Sequence, residues 1–236
     1  MLTLLQSPKL SSLGFVHGFG TRQADVGLAA TSALRETALT QLKQAANGAI
    51  DFAEVEQVHG KDIARATSGG RSNVQADAVW VETALVAGAV RTADCVPVLL
   101  AHPRSGAVVA VHAGWRGLVA GVIEAAAQAL GDGCDIAAAI GPCIGPGAFE
   151  IGPDVAEPLV SKVDDARVVH KKGKSLYGDL PLVAQLVLTR IGVPLSRIDR
   201  LDHCTFTEEH LFFSHRRDRT SGRQLSFIAP NSRSPS

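Results

Sequence analysis

Ala107-Val108-Val109-Ala110-Val111-His112-Ala113-Gly114-Trp115-Arg116-Gly117 reads as a strand that breaks into a turn, and Leu118 to Leu130 reads as the helix that follows. Ala107 to Val111 has no polar face, the pattern of a strand covered on both sides. The Ala-rich segment after it suits a helix, and Gly131 ends it. Strand, turn and helix in this succession place the chain in the α/β class. His112 stands where the strand breaks, so its side chain projects from a strand end rather than sinking into a core.

Outward from this unit the same two patterns alternate. Upstream, Val96 to Ala101, Val86 to Val90, Ala76 to Val81 and Phe52 to Val58 read as strands, the last closed by His59-Gly60. Thr31 to Ala46 reads as an amphipathic helix with Leu34, Ala38, Leu39, Leu42 and Ala45 on one face. Downstream, Ile136 to Ile140 is a buried strand ending in the turn-rich Gly141 to Gly147. Asp154 to Val163 and Leu182 to Ile191 read as helices, the second stopped by Gly192 and Pro194, and Leu211 to Phe213 and Leu225 to Ala229 as the last strands. No repeat or linker divides the chain, so residues 1–229 are expected to form a single mixed α/β domain. Residues 230–236 are expected to be a frayed polar tail. Strand order is not legible.

The bulk numbers narrow the function. The 236 residues carry 23 Lys plus Arg against 23 Asp plus Glu, so no polyanion partner is implied. The one dense basic run, His215-Arg216-Arg217-Asp218-Arg219, is too short for a nucleic-acid surface. No stretch approaches the ~20 apolar residues of a membrane helix, and the N-terminus lacks a secretory pattern. Four cysteines do not make a disulfide framework, which points to a reducing cytoplasm.

Three residues stand where apolar runs break into turns: His59 in Gln57-Val58-His59-Gly60, Cys95 in Thr92-Ala93-Asp94-Cys95-Val96-Pro97, and His112. Two imidazoles and a thiolate suit zinc, and three protein ligands leave a fourth position for water or substrate, as in catalytic sites. Their separations, 36 and 17 residues, match no local zinc pattern. Arg116, just before the helix, is placed to hold an anion where free backbone N–H groups already favour one. Trp115 either stacks on a base or packs under the helix. His17, His102, His170 and His210 have no partner pattern and are expected at the surface.

These motifs, with Ile140-Gly141-Pro142-Cys143-Ile144-Gly145-Pro146 and Phe212-Phe213-Ser214-His215-Arg216-Arg217-Asp218, resemble the laccase-domain family, formerly labelled polyphenol oxidase. The resemblance runs from about Val55 to Ala229. It implies a single domain of mixed β-sheets with flanking helices, and one zinc held by His59, Cys95 and His112. It implies phosphorolysis of adenosine, inosine, guanosine and methylthioadenosine to free base and ribose 1-phosphate, together with adenosine deaminase activity, in a monomer or homodimer. Asp94 beside Cys95 is then a candidate to orient a ligand or shuttle a proton. Arg22, in the retained Thr21-Arg22 pair, joins Arg116 and Arg216 as a candidate for substrate or phosphate. The segment Gln23 to Leu28 is shorter than in the family pattern, which bears on substrate preference.

Other classes use the same residues. A cysteine hydrolase or amidase, including one editing peptidoglycan precursors, would take Cys95 as nucleophile and His112 as base. A non-catalytic structural zinc site needs a fourth protein ligand, for which His215 is the candidate. Copper-dependent phenol oxidation needs clustered histidines; none of the eight forms a His-X-His pair and Met1 is the sole methionine, so copper binding here is read as adventitious.

Overall fold

A computed structural model describes residues 3–27, 30–46 and 50–231. Its strands form three sheets. The first runs in the order β1 (His17–Phe19), β14 (Gln224–Ile228), β6 (Val86–Thr92), β2 (Asp51–Glu56), β4 (Gly70–Gln75). The second runs β13 (Ile198–Arg200), β9 (Ala137–Ile140), β7 (Val96–Ala101), β8 (Val108–Ala113), β5 (Ala78–Val81), β3 (Ile63–Ala66). A small third sheet holds β10 (Glu150–Ile151), β12 (Ser175–Gly178) and β11 (Val169–Lys172). Both large sheets are mixed: β2 is parallel to β6 and β4, and β3 to β5, while β7 is antiparallel to β8 and β9.

The apolar runs explain the layering. Along β7, Val96, Val98 and Leu100 enter one core while Leu99 and Ala101 enter another. The first core lies against the helices α3 (Trp115–Ala120), α4 (Val122–Leu130), α5 (Pro153–Val163) and α6 (Leu180–Arg190), through Leu118, Ile123, Leu159 and Val187. The second lies between the two large sheets, where Val79 and Val108 meet Val55 and Val90. A third, on the outer face of the first sheet, joins Phe52, Ala87 and Phe227 to Leu42 of α2 (Ser32–Ala45). Strands covered on both faces cannot alternate polar with apolar, so β7 is unbroken and β8 is interrupted only by His112 despite antiparallel neighbours. Each fully buried Val or Leu contributes about 1.5–3 kcal/mol.

Several expected elements differ. The helix read from Leu118 to Leu130 is two helices, broken at Gly121, whose φ of 96° only glycine adopts freely. Leu211 to Phe213 is not a strand; Phe212 is buried in a loop, its carbonyl taken by Arg217 Nη2 at 2.7 Å. The buried face of α2 uses Ala38 and Leu42, with Ala46 beyond its end, whereas Leu34 is 63% exposed and Ala45 is exposed. His17 is buried rather than at the surface. Its Nε2 accepts from Ser7 N–H at 2.8 Å, its Nδ1 faces the Phe15 carbonyl at 2.9 Å, and burial pushes its pKa down. In the expected tail, Asn231 donates to the Leu13 carbonyl, and residues 232–236 lie outside the described residues, as does Leu28 of the short N-terminal segment. A short helix α1 (Pro8–Ser12) precedes β1. No helix among the described residues is long and apolar enough to cross a membrane.

Candidate metal centre and its cavity

His112 occupies the penultimate position of β8, where alternation turns it away from the helix-covered core. Asp77, immediately before β5, is its neighbour across the strand pair: His112 N–H donates to the Asp77 carbonyl at 2.7 Å. The Asp77 carboxylate, fully buried, also meets His112 Nδ1 at 2.7 Å. The same carboxylate accepts from the N–H groups of Val58 at 3.3 Å, His59 at 3.0 Å and Gly60 at 2.6 Å. One acid therefore orients one imidazole and folds the turn that presents the other. Burial would raise the Asp77 pKa, but the hydrogen bonds from His112, Gly60 and His59 outweigh it and hold the carboxyl below its usual range.

That turn is strained. His59 has φ 61°, a left-handed conformation that costs a non-glycine residue roughly 1–3 kcal/mol. The three N–H bonds to Asp77 offset the cost. Gln57 anchors the strand end before it, pairing its amide with the backbone of Arg91 at 2.8 and 2.9 Å. Asp94 also has positive φ, 90°, and turns the chain from β6 into Cys95 and β7.

The result is convergence. His59, Cys95 and His112 each offer one donor atom, and these atoms lie within 4.8 Å of one another. The two imidazole rings meet edge to face, 4.8 Å between centroids. A Cβ at Gly114 would sit 3.0 Å from His59 Cδ2 and 3.1 Å from Cys95 Sγ, so a larger residue there would crowd the cluster. Burial raises the Cys95 pKa, but the His112 charge and hydrogen bonds from both histidines bring it down to about 6. Burial lowers the His112 pKa, but the Cys95 charge and Asp77 raise it to about 9. Each of the two thus favours the charged form of the other. With His112 Nδ1 facing Asp77, Nε2 is the nitrogen left for a metal, the carboxylate–histidine arrangement typical of metal sites. The donor set thus fits one borderline-soft divalent ion.

A cavity of about 610 Å³ opens beside the three donor residues, with Arg91, Thr92, His215 and Arg223 on its walls. His215 lies outside the three-residue donor group. Both Asp94 carboxylate oxygens are engaged, by Thr205 Oγ1 at 2.7 Å and Arg216 N–H at 2.6 Å, so Asp94 clasps two loops around the site. Arg216 sends its guanidinium to the Glu150 carbonyl at 2.9 Å. Arg22 borders an adjacent cavity of about 460 Å³, 5.3 Å over the Phe213 ring. Arg116 is exposed and stacks 4.7 Å over Trp115, which packs against the helix-covered core. None of these three arginines lines the cavity at the donor residues.

Sequence reasoning missed Asp77 and Arg91. Both carry a signal in retrospect: Asp77 is a charged residue inside the apolar run Ala76-Asp77-Ala78-Val79, and Arg91 closes the run Val86-Ala87-Gly88-Ala89-Val90-Arg91.

Residues 25–231 match the model of the multi-copper polyphenol oxidoreductase laccase family. Purine nucleoside phosphorylase YfiH of Shigella flexneri is 43% identical over 178 residues, 74% of this chain and 72% of that protein. Purine nucleoside phosphorylase YlmD of Geobacillus stearothermophilus is 36% identical over 192 residues, 73% of this chain and 70% of that protein. Among solved structures, Neisseria meningitidis NMB0706 superposes with a TM-score of 0.82 at 30% identity, covering 92% of this chain and 94% of that one. The YlmD crystal structure gives 0.83 at 28% identity, covering 96% and 94%. With the five motifs, the two mixed sheets and the His-Cys-His cluster in place, the chain belongs to the multi-copper polyphenol oxidoreductase laccase family.

Proposed function

We propose that this chain is a zinc-dependent purine nucleoside phosphorylase that also deaminates adenosine. The observation that carries the reading is the meeting of His59, Cys95 and His112 at the edge of a cavity. The relatives named purine nucleoside phosphorylases suggest the substrate class. Zinc suits two imidazoles and one thiolate with a fourth position open, whereas a multicopper centre needs further histidine clusters, and one donor group of this kind exists among the described residues. Held by these residues, zinc supplies Lewis-acid chemistry at that open position.

The chain's own residues do the rest. Asp77 holds the His112 Nδ1 proton and shapes the His59 turn, and Asp94 keeps the surrounding loops together. In phosphorolysis, phosphate displaces the base from the nucleoside, giving free base and ribose 1-phosphate. In deamination, water replaces the amino group of adenosine, giving inosine and ammonia. Incubating the zinc-loaded protein with inosine, guanosine or adenosine, with and without phosphate, should release base and ribose 1-phosphate only where phosphate is present. Mass spectrometry of the products is the check, and absence of base release overturns the proposal.

One observation favours a second reading, a cysteine hydrolase or amidase: the depressed Cys95 thiol paired with His112. Alkylation by iodoacetamide separates the two. Zinc-loaded protein should be modified slowly at Cys95 and rapidly after chelation; fast modification with zinc bound favours the thiol nucleophile.

A further inference from the structure

The cavity beside the ligands holds more positive charge than its own acids offset. Glu54, 4% exposed, is shared between two guanidiniums: Arg35 Nη2 bonds Oε1, and Arg91 Nη1 lies 3.5 Å from Oε2. Arg91 Nη2 is spent on the Val55 carbonyl at 3.1 Å. Arg91 Nη1 has that long ion-pair contact and no closer acceptor, and Thr92 Oγ1 is buried without a hydrogen-bond partner. Both residues line the cavity, at 8% and 1% exposure. Arg223 lines it as well, its Nη1 held by the Ser221 and Gly222 carbonyls at 2.7 and 2.9 Å. Burial lowers the Arg91 pKa; Glu54 opposes this, and the charges of Arg71, Arg35 and Arg223 add to it. A buried polar atom without a partner calls for an explanation, and Thr92 Oγ1 belongs to a residue that lines the cavity.

An orphaned hydroxyl and the guanidiniums that line the same cavity make a donor set for a tetrahedral oxyanion. We infer that Arg91, Thr92 and Arg223 form a phosphate subsite next to the metal ligands, an assignment that rests on the phosphorolysis reading above. The phosphate group is either inorganic phosphate or the 5′-phosphate of a nucleoside monophosphate.

Inorganic phosphate titrated calorimetrically into the zinc-loaded protein, with chloride as the control anion, reads the subsite without turnover. Phosphate should bind saturably, and Thr92→Val and Arg91→Met should each weaken it about tenfold. Thr92→Val keeps the shape of the side chain and guards against loss of fold in Arg91→Met, which leaves Glu54 short of a partner. In turnover, the KM for phosphate should rise in both variants while the KM for inosine holds. The source of the group follows from competition. Inosine and phosphate binding together point to inorganic phosphate. Inosine 5′-monophosphate that expels phosphate and binds more tightly than inosine points to the nucleotide. Phosphate binding no stronger than chloride, or equal affinity in the wild type and the folded variants, overturns the subsite. Variant-sensitive phosphate binding in a protein that releases no base supports the subsite and overturns phosphorolysis. Base release with variant-insensitive binding does the reverse.

Discussion

Asp77, fully buried, has four hydrogens to hold: three backbone N–H groups of the His59 turn and the Nδ1 proton of His112. A carboxylate accepts all four with two oxygens; a carboxamide has one acceptor oxygen and turns an NH₂ group against the remaining donors. Asp77→Asn should therefore lower zinc affinity by about 10–100-fold, the usual effect of removing an outer-shell partner. Competition with a chromogenic chelator measures it, and unchanged affinity would mean that Asp77 does not orient the ligands. The three donor residues were legible because each stands where an apolar run breaks into a turn. Asp77 was harder, since a single acid between alanines reads equally as a strand boundary until its partners are known.

At the scale of elements, the buried strands were the most readable feature, because β7 is apolar along its whole length and β8 is interrupted only by His112. The exposed edge strand β4 was invisible for the opposite reason: Gly70–Gln75 is exposed throughout and carries no alternation. Phe212 misled in turn, since a buried aromatic in a loop has the local look of a strand. Gly121 hides a helix break inside an Ala-rich run. It has φ 96°, and a Cβ there would meet Glu124 Oε2 and Lys162 Nζ at 3.6 Å, so space is adequate and the backbone sets the cost. Gly121→Ala should destabilise the fold by about 1 kcal/mol while zinc stoichiometry stays at one. Chemical denaturation checks it; a gain in stability would mean that α3 and α4 can fuse into the single helix the sequence suggested.

At the scale of the molecule, the centre ties two sheets together. His59 follows β2 of the first sheet, Cys95 lies on the crossing from β6 to β7, and His112 belongs to β8 of the second. No local pattern encodes such a site, because its spacing comes from strand order, and strand order comes from pairings far apart in sequence. The family motifs carried that information where periodicity could not. Zinc K-edge X-ray absorption on protein loaded with one equivalent of zinc tests the centre most directly. The account predicts one sulfur at about 2.3 Å, two imidazole nitrogens at about 2.0–2.1 Å and one light non-protein donor, with the sulfur lost in Cys95→Ser. A spectrum without sulfur, or one with a fourth protein ligand, would contradict it.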